Sequence, residues 1–508
     1  MELRMITDEL ERKYERMMDT LWQLLVSGRS ELVPIADQAE QDYQNLLFSD
    51  RVQGLINLPT AALVTPDQHL EIKMIEKETL EHSRDSELRK EMNEIWSELN
   101  FHFATFRPIV HDQPITELEI LSSLSQQKSS SERQKYWEAF MKSGIEIESQ
   151  LLSIVHKRNR VAVEKGYSNF YEMKLSLQDL TINDLKSIIY NLKSSLDSTY
   201  CNLKQAMDKE IMERFKIPSV DIKPWHYNHP FLQYYKNITL PYPVSMEDLE
   251  NTMKSIGLDI SSLLSNGCFT KKEGKSPSGF CFHTNRKGDI RISVNQNDTF
   301  HSLQTLLHEL GHGAYEMSIN PQLPFLLKQP SQIFISEAVA LLFEKMPLTS
   351  LFSLTDRDHA DVAANYYKNL LVRLYWSMTL ILFEIDLYEN PHQNLNEVWW
   401  NLVQDVQGIN RPEEWDFAYW ASKSHLSTLP GYYHNYLLGD MLASTLFYYL
   451  TTSFQQPFSI EAMQDLKEHL FYPGAGLQWN NPATADFFLP LTHQHISSEI
   501  KSNLRVPR

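Results

Sequence analysis

Residues 305–315, Thr-Leu-Leu-His-Glu-Leu-Gly-His-Gly-Ala-Tyr, form the most informative pattern in this chain of 508 residues. His308 and His312 are four positions apart, so on a helix they would project from one face and could bind one metal ion. Glu309 would lie beside that ion, where a carboxylate can accept a proton from a bound water molecule. The plain alternative is an ordinary helix that carries two hydrogen-bonded, partly buried histidines. Apolar residues on another face predict that this helix packs against a core: Leu303, Leu306, Leu307, Leu310 and Ala314.

A catalytic zinc site usually has three protein ligands, and Glu337 is the best candidate for the third. It follows His312 by 25 residues and lies in a predicted helix over 331–345. A second helix that crosses the first could bring this carboxylate to the two imidazoles. Glu344, two helical turns further on, could accept a hydrogen bond from a ligating histidine. The alternative for Glu344 is a solvated charge at a helix end.

The composition favours a globular protein, because 42% of the residues are hydrophobic and 22% are charged. The formal net charge of −18 argues against nucleic acid or an anionic membrane as a partner. Only three cysteines occur, so a disulfide framework and a thiolate zinc site are both unexpected. The first residues are charged where a signal peptide would be apolar, and no apolar run reaches the length of a membrane span. We therefore expect a cytoplasmic protein.

Helical periodicity dominates the chain, and the expected fold is mostly α. Capping patterns predict helix starts at Ser131, in Ser-Glu-Arg-Gln, and at Thr181, in Thr-Ile-Asn-Asp. Residues 279–294 contain the one clear strand signal, two alternating runs joined by a turn, which predicts an antiparallel hairpin just before the metal motif. We expect two helical subdomains, 1–245 and 246–508, that flank a deep substrate cleft, with the hairpin and the metal site in the second.

The segment His308-Glu-Leu-Gly-His-Gly-Ala-Tyr315 resembles the HExGHxxY/H helix of the gluzincin peptidases. This group includes thimet oligopeptidase and oligopeptidase F, angiotensin-converting enzyme and the Taq-type carboxypeptidases. The segment 423–439 is similar to their substrate-facing region, in which a histidine is followed by a tyrosine-rich helix. Gly431-Tyr-x-x-x-Tyr436-x-Leu-Gly439 is close to the Taq-type GYFPTYxLG pattern. The resemblance implies one zinc ion per chain, held by His308, His312 and Glu337.

The resemblance also implies roles for residues outside the ligand set. Tyr436, assisted by His425, would stabilise the oxyanion, and Tyr433 is the alternative donor. Lys423 and Tyr432 match positions that hold a substrate's terminal carboxylate in angiotensin-converting enzyme. Tyr433 is also a candidate substrate contact. An aromatic helix face buried in the core is the alternative for all three tyrosines.

Arg291, on the second predicted strand, is a rival anchor for that carboxylate, although a lone strand arginine is more often a solvated charge. The Taq-type HESQ motif is replaced here by Ser336-Glu-Ala-Val, so the subfamily stays open. The expected activity is hydrolysis of short peptides, by an oligopeptidase or a carboxypeptidase-like enzyme, with Glu309 as general base. The alternatives are a strict Taq-type metallocarboxypeptidase and an inactive binding protein of the same fold. Monomer and homodimer remain equally open.

Overall fold

The structure is a computed structural model that describes residues 2–57, 65–234, 238, 244–276, 278–352, 356–480 and 491–504. Most of these residues are helical, and the strands among them form two antiparallel two-stranded sheets. The prediction of a mostly α fold with a small antiparallel sheet is therefore confirmed. Within the described ranges, every helix is either too short or too polar to cross a lipid bilayer.

The helices up to residue 215 are α1 (Glu2–Ser27), α2 (Val33–Leu47), α3 (Asp50–Ile56), α4 (Pro66–Leu80), α5 (Ser86–Thr105), α6 (Glu117–Gln126), α7 (Ser130–Glu164), α8 (Phe170–Ser176) and α9 (Ile182–Phe215). Those that follow are α10 (Met246–Ser255), α11 (Ser261–Ser265), α12 (Phe300–Ser318), α13 (Ile333–Phe343), α14 (Asp356–Glu389), α15 (Leu395–Leu402), α16 (His425–Thr428), α17 (Tyr433–Ser453), α18 (Ile460–Leu466) and α19 (Gln494–Asn503). One sheet pairs β1 (Ile109–Val110) with β2 (Gln113–Pro114), and the other pairs β3 (Phe280–His283) with β4 (Ile290–Ser293).

Helix starts follow the local capping chemistry. The Thr181 side chain accepts a hydrogen bond from the Asp184 backbone, and the Asp184 side chain accepts one from Thr181, so the predicted capping box of α9 is confirmed. The predicted cap at Ser131 is wrong, because the side chain of Ser129 accepts from the backbone N–H of Glu132 and α7 begins at Ser130. Several hydroxyl residues in a row offer alternative caps, and the sequence pattern does not decide between them.

The chain divides into two compact units, each made of three separate stretches of sequence. Unit 1 comprises Met1–His82, Asn237–Val362 and Leu438–His495. Unit 2 comprises Ser83–Lys236, Ala363–Leu437 and Ile496–Arg508. The metal motif and the hairpin therefore belong to unit 1, together with the N-terminal helices α1–α4.

In unit 1 the β3–β4 hairpin has a different helix on each of its two faces. Phe280 and Phe282 face α1, where the ring of Trp22 lies at centroid distances of 5.5 Å and 6.3 Å. Strand residues alternate between faces, so Gly279 and His283 point the other way, toward α12. His283 Nδ1 lies 3.1 Å from Glu316 Oε2 on that helix. The hairpin therefore runs alongside the helix that carries the metal motif.

Helices α12 and α13 approach each other closely at Gly311. A Cβ atom at this position would lie 2.7 Å from Cα of Ala340 and 3.1 Å from the carbonyl oxygen of Val339. Glycine is therefore required for this contact between two backbones. The predicted apolar face of α12 is buried, which holds the helix in place while its polar edge carries the site: Leu303, Leu306, Leu307, Leu310 and Ala314.

Candidate metal centre

The three predicted ligands lie together in unit 1. The Nε2 atoms of His308 and His312 are 3.2 Å apart, and His308 Nε2 is 3.5 Å from Oε2 of Glu337. One nitrogen or oxygen atom from each residue lies within 4.8 Å of the others. Glu337 is 3% exposed, so its carboxylate is buried next to the two imidazoles. These three residues can hold one metal ion.

The spacing of the donor atoms agrees with a tetrahedral site. Two nitrogen ligands, each about 2.0–2.1 Å from a zinc ion and separated by the tetrahedral angle, lie about 3.3–3.4 Å apart. The observed distance between the two Nε2 atoms is 3.2 Å. Imidazole nitrogen and carboxylate oxygen are ligands that zinc accepts. The donor set and its spacing therefore fit this metal.

The other ring nitrogens have partners that orient both histidines. His308 Nδ1 lies 2.9 Å from Oε1 of Glu344, and because a carboxylate only accepts, the imidazole N–H donates this bond. His312 Nδ1 lies 2.8 Å from Oγ of Ser336. Such bonds fix the ring orientation and leave Nε2 free to bind a metal. Glu344 thus makes the predicted contact with a ligand histidine.

The surroundings of the two histidines shift their pKa values in opposite directions. Burial lowers the pKa of His312 to about 4. Burial alone would also lower the pKa of His308, but its hydrogen bonds to Glu337 and Glu344, and their negative charges, outweigh this effect. The pKa of His308 is therefore well above its usual range. The buried carboxylates thus provide the negative charge that a bound cation would neutralise.

Glu309 lies next to this ligand set and is also buried, with 6% of its surface exposed. Burial raises the pKa of Glu309 to about 7, and the negative charges of Glu337 and Glu344 act in the same direction, while His308 opposes them. A carboxyl group with a pKa near neutrality can both accept and donate a proton under ordinary conditions. Its position and its acidity both suit a general base.

The tyrosine-rich segment belongs to unit 2 as far as Leu437, and its rings pack with His425. The His425 ring centroid is 5.3 Å from that of Tyr433 and 6.3 Å from that of Tyr436. Nε1 of Trp376 donates to the hydroxyl of Tyr433 over 2.7 Å. The ring centroids of Tyr432 and Tyr436 are 5.3 Å apart. Unit 2 therefore brings together His425 and the three predicted tyrosines, and their roles remain predictions.

Lys423 has aromatic neighbours in the same unit. Its ammonium nitrogen lies 6.0 Å, 5.9 Å and 5.6 Å from the ring centroids of Phe231, Trp376 and Tyr433. Burial lowers the pKa of His425 well below its usual range, and the positive charge of Lys423 acts in the same direction. His425 is therefore neutral near pH 7, and the positive charge of this region is carried by Lys423.

Arg291 is bound within unit 1. Its guanidinium makes two hydrogen bonds to Asp289, of 3.0 Å and 2.6 Å, and a third of 2.8 Å to Asp19 of α1. It also lies over the ring of Trp22, 5.8 Å from its centroid. These contacts tie the hairpin to α1 and engage all three guanidinium nitrogens of Arg291.

Sequence reasoning missed two residues around the metal centre. Ser336 contacts His312, and Gln304 Nε2 donates to Oε2 of Glu344 over 3.4 Å. Gln304 precedes His308 by one helical turn, so its position on the same face was a usable signal. Ser336 directly precedes Glu337, and only the crossing of α12 and α13 shows that its hydroxyl reaches His312.

No protein-family model matches the chain, and neither does any curated protein.

Proposed function

We propose that this chain is a zinc-dependent metallopeptidase that hydrolyses short peptides. The observation that supports this most strongly is the convergence of His308, His312 and Glu337 on one point, with Glu309 beside them. Each histidine also has an outer partner that orients its ring, a feature typical of metal sites. The resemblance of the HExxH helix to the gluzincin peptidases supports the same function.

Zinc bound by these three residues would supply Lewis acidity, lowering the pKa of a bound water and polarising a peptide carbonyl. In this proposal Glu309 accepts the proton of the attacking water and then delivers it to the leaving amine. Its burial excludes bulk water, which keeps that proton on the reaction path. Ser336 and Glu344 hold the two histidines in orientation throughout.

The proposal assigns the stabilisation of the developing oxyanion to the hydroxyl of Tyr436, with His425 assisting and Tyr433 as the alternative donor. The support for this assignment is the resemblance of residues 423–439 to the gluzincin pattern. Substitution of Tyr436 by Phe, which removes only the hydroxyl, is expected to lower kcat by roughly two orders of magnitude. The same change at Tyr433 is expected to have a smaller effect.

Lys423 is our proposed contact for the terminal carboxylate of a peptide, with Tyr432 and Tyr433 beside it. Among the described residues, its ammonium has aromatic rings as neighbours and no carboxylate within ion-pair distance, which favours an anion from outside the chain. The outer edge of β3 could additionally bind an extended peptide as an added strand. Both features fit a short peptide with a free C-terminus.

We further propose a metal content, a location and a class of partner for this chain. We expect one zinc ion per chain, because the described residues contain one group of potential ligands. All three cysteines are free thiols, which favours the reducing cytoplasm. Short peptides are the proposed partners, and the formal net charge of −18 disfavours nucleic acid.

The experiment that tests the proposal measures metal content and cleavage together. The purified chain is analysed for zinc and incubated with a mixed peptide library, whose products are identified by mass spectrometry. The variant Glu309→Gln should retain zinc and lose roughly 10²–10⁴-fold in rate. A chain without zinc, or full activity in the variant, would refute the proposed mechanism. Zinc binding without any cleavage would instead favour an inactive binding protein.

The cleavage positions identify the subclass. Release of single C-terminal residues indicates a carboxypeptidase, release of C-terminal dipeptides indicates a dipeptidyl carboxypeptidase, and internal cuts indicate an oligopeptidase. Library members with an amidated C-terminus serve as the matched control. If Lys423 binds the terminal carboxylate, amidation should slow cleavage of an otherwise identical peptide, and the variant Lys423→Met should no longer distinguish the two.

A further inference from the structure

Two glycines in unit 1 occupy positions where a side chain would press against a carboxylate residue of the metal centre. A Cβ atom on Gly279 would lie 2.8 Å from Oε1 of Glu309 and 2.9 Å from Cγ2 of Thr305. A Cβ atom on Gly439 would lie 2.9 Å from Cβ of Glu337. These separations are well below the optimal distance between non-bonded carbon atoms, about 3.5–4.0 Å. Each glycine therefore contacts a different carboxylate residue of the centre.

Backbone conformation does not explain either glycine. Neither Gly279 nor Gly439 is among the residues with a positive φ angle, so another residue could adopt both conformations. Gly439 also lies in the interior of α17, where glycine is a poor choice for helix stability. Close packing against Glu309 and Glu337 is the remaining reason for the absence of a side chain.

The two contacts differ in what would have to move. At Gly279 the nearest atom is the end of the flexible Glu309 side chain, so a methyl group would displace the Glu309 carboxylate, and it would also meet Cγ2 of Thr305 on α12 at 2.9 Å. At Gly439 the nearest atom is Cβ of Glu337, which is attached to the backbone, and the nitrogen of Ala338 would be only 3.3 Å away. A methyl group there would shift α13 itself.

We propose that Gly279 and Gly439 are positioning residues that act on the two functional carboxylates independently. Gly279 keeps the Glu309 carboxylate directed toward the centre and thereby controls the rate of the reaction. Gly439 sets how far Glu337 reaches toward the histidines and thereby controls metal affinity. The role of Gly279 rests on the proposed peptidase function, whereas the role of Gly439 rests only on metal binding.

The test compares Gly279→Ala and Gly439→Ala with a matched control, Gly54→Ala. Gly54 lies on α3, and a Cβ atom there would have no neighbour within 4 Å. Zinc affinity is measured by chelator competition, ligand geometry by the absorption spectrum of the Co²⁺-substituted protein, and kcat with a peptide that the unmodified chain cleaves. Circular dichroism with and without zinc reports folding.

We expect Gly279→Ala to lower kcat by roughly 10–100-fold while zinc affinity and the Co²⁺ spectrum stay unchanged. Gly439→Ala should weaken zinc binding by roughly 10–100-fold and alter the Co²⁺ spectrum. Gly54→Ala should change none of these quantities. The two functional variants thus separate catalysis from metal affinity, which a general loss of stability would not do.

A further variant distinguishes displacement of Glu309 from displacement of the strand. Thr305→Ser removes the methyl group that the new Cβ would also meet, so it should not restore kcat in the Gly279→Ala background if Glu309 is the group displaced. Restoration by Thr305→Ser, an unchanged kcat in Gly279→Ala, or equal loss of zinc affinity in both alanine variants would overturn the proposal.

The proposed role of Gly439 in metal affinity has its own refuting outcomes. Unchanged zinc affinity in Gly439→Ala contradicts it, and so does a variant that fails to fold even with saturating zinc, because the proposal requires the rest of the fold to persist. If the unmodified chain cleaves no peptide, the proposed function fails and the role of Gly279 fails with it. In that case the zinc affinity of Gly439→Ala still decides whether Gly439 has its proposed role.

Discussion

The contact between Glu344 and His308 allows a quantitative prediction of metal affinity. Glu344 is only 7% exposed, its Oε1 lies 2.9 Å from His308 Nδ1, and its Oε2 accepts a hydrogen bond from Gln304. Glu344→Gln retains an oxygen that can accept the imidazole N–H but removes the negative charge. Glu344→Ala removes both the charge and the acceptor.

The expected magnitudes follow from the strength of these bonds. Hydrogen bonds to charged groups contribute about 1.5–3 kcal/mol and neutral ones about 0.5–1.5 kcal/mol. Loss of the charge alone therefore removes about 1–1.5 kcal/mol, which corresponds to roughly a tenfold weaker zinc affinity. Loss of the acceptor as well should weaken the affinity by up to about 100-fold, the upper end for outer partners of metal ligands.

The assay is competition for zinc between the metal-free protein and a chromophoric chelator near neutral pH. Glu461→Gln, an exposed residue in the first turn of α18, is the control for loss of one negative charge. The graded order from the native chain through Glu344→Gln to Glu344→Ala is the expected result. Equal zinc affinity in all three proteins would show that Glu344 does not orient His308, and equal weakening in the control would indicate a general effect of net charge.

Three further predictions concern stability. Zinc at about 100 times its dissociation constant should raise the free energy of unfolding by about 2.7 kcal/mol, seen as a higher Tm that a chelator reverses; an unchanged Tm would contradict a preformed site. Burial raises the pKa of Glu384 to about 8 in unit 2, so between about pH 4.5 and pH 8 the folded state retains a proton that the unfolded state has lost, and stability falls as the pH rises. Glu384→Gln should therefore match the native chain near pH 5 and exceed its stability near pH 8 by up to roughly 4 kcal/mol. Urea unfolding that gives the same difference in stability between the two proteins at both pH values would refute this. Gly311→Ala should destabilise the chain by about 1–3 kcal/mol in the same assay, because the new methyl group would meet the backbone of α13, whereas a gain in stability would show that α12 and α13 can separate freely.

The parts of the site that could be predicted from sequence depend on local geometry. His308 and His312 are related by the helical repeat, so their common direction follows from spacing alone. Glu337 is predictable because it lies in a second predicted helix, 25 residues after His312. The capping box between Thr181 and Asp184 is equally local, and both of its hydrogen bonds are present in the structure.

Other features depend on tertiary contacts that no local pattern encodes. Ser336 reaches His312 only because α12 and α13 cross, and Gly439 meets Glu337 although about a hundred residues separate them in sequence. Gly279 stands at the start of the predicted hairpin, and no local pattern places it against Glu309. The sequence leaves Arg291 as a substrate anchor or a solvated charge, but two aspartates bind it, one of them from α1. Such partners become visible only when distant segments are folded together.

The discontinuous make-up of unit 1 has a consequence for how the protein is synthesised. Met1–His82, Asn237–Val362 and Leu438–His495 must all be present before the unit is complete. A nascent chain that has exposed His308 and Glu337 on the ribosome still lacks Gly439 and the rest of α17. Contacts between segments so distant in sequence form slowly, so the metal-binding residues remain incompletely enclosed for some time after translation. During that interval a cellular chaperone or free zinc would have access to them.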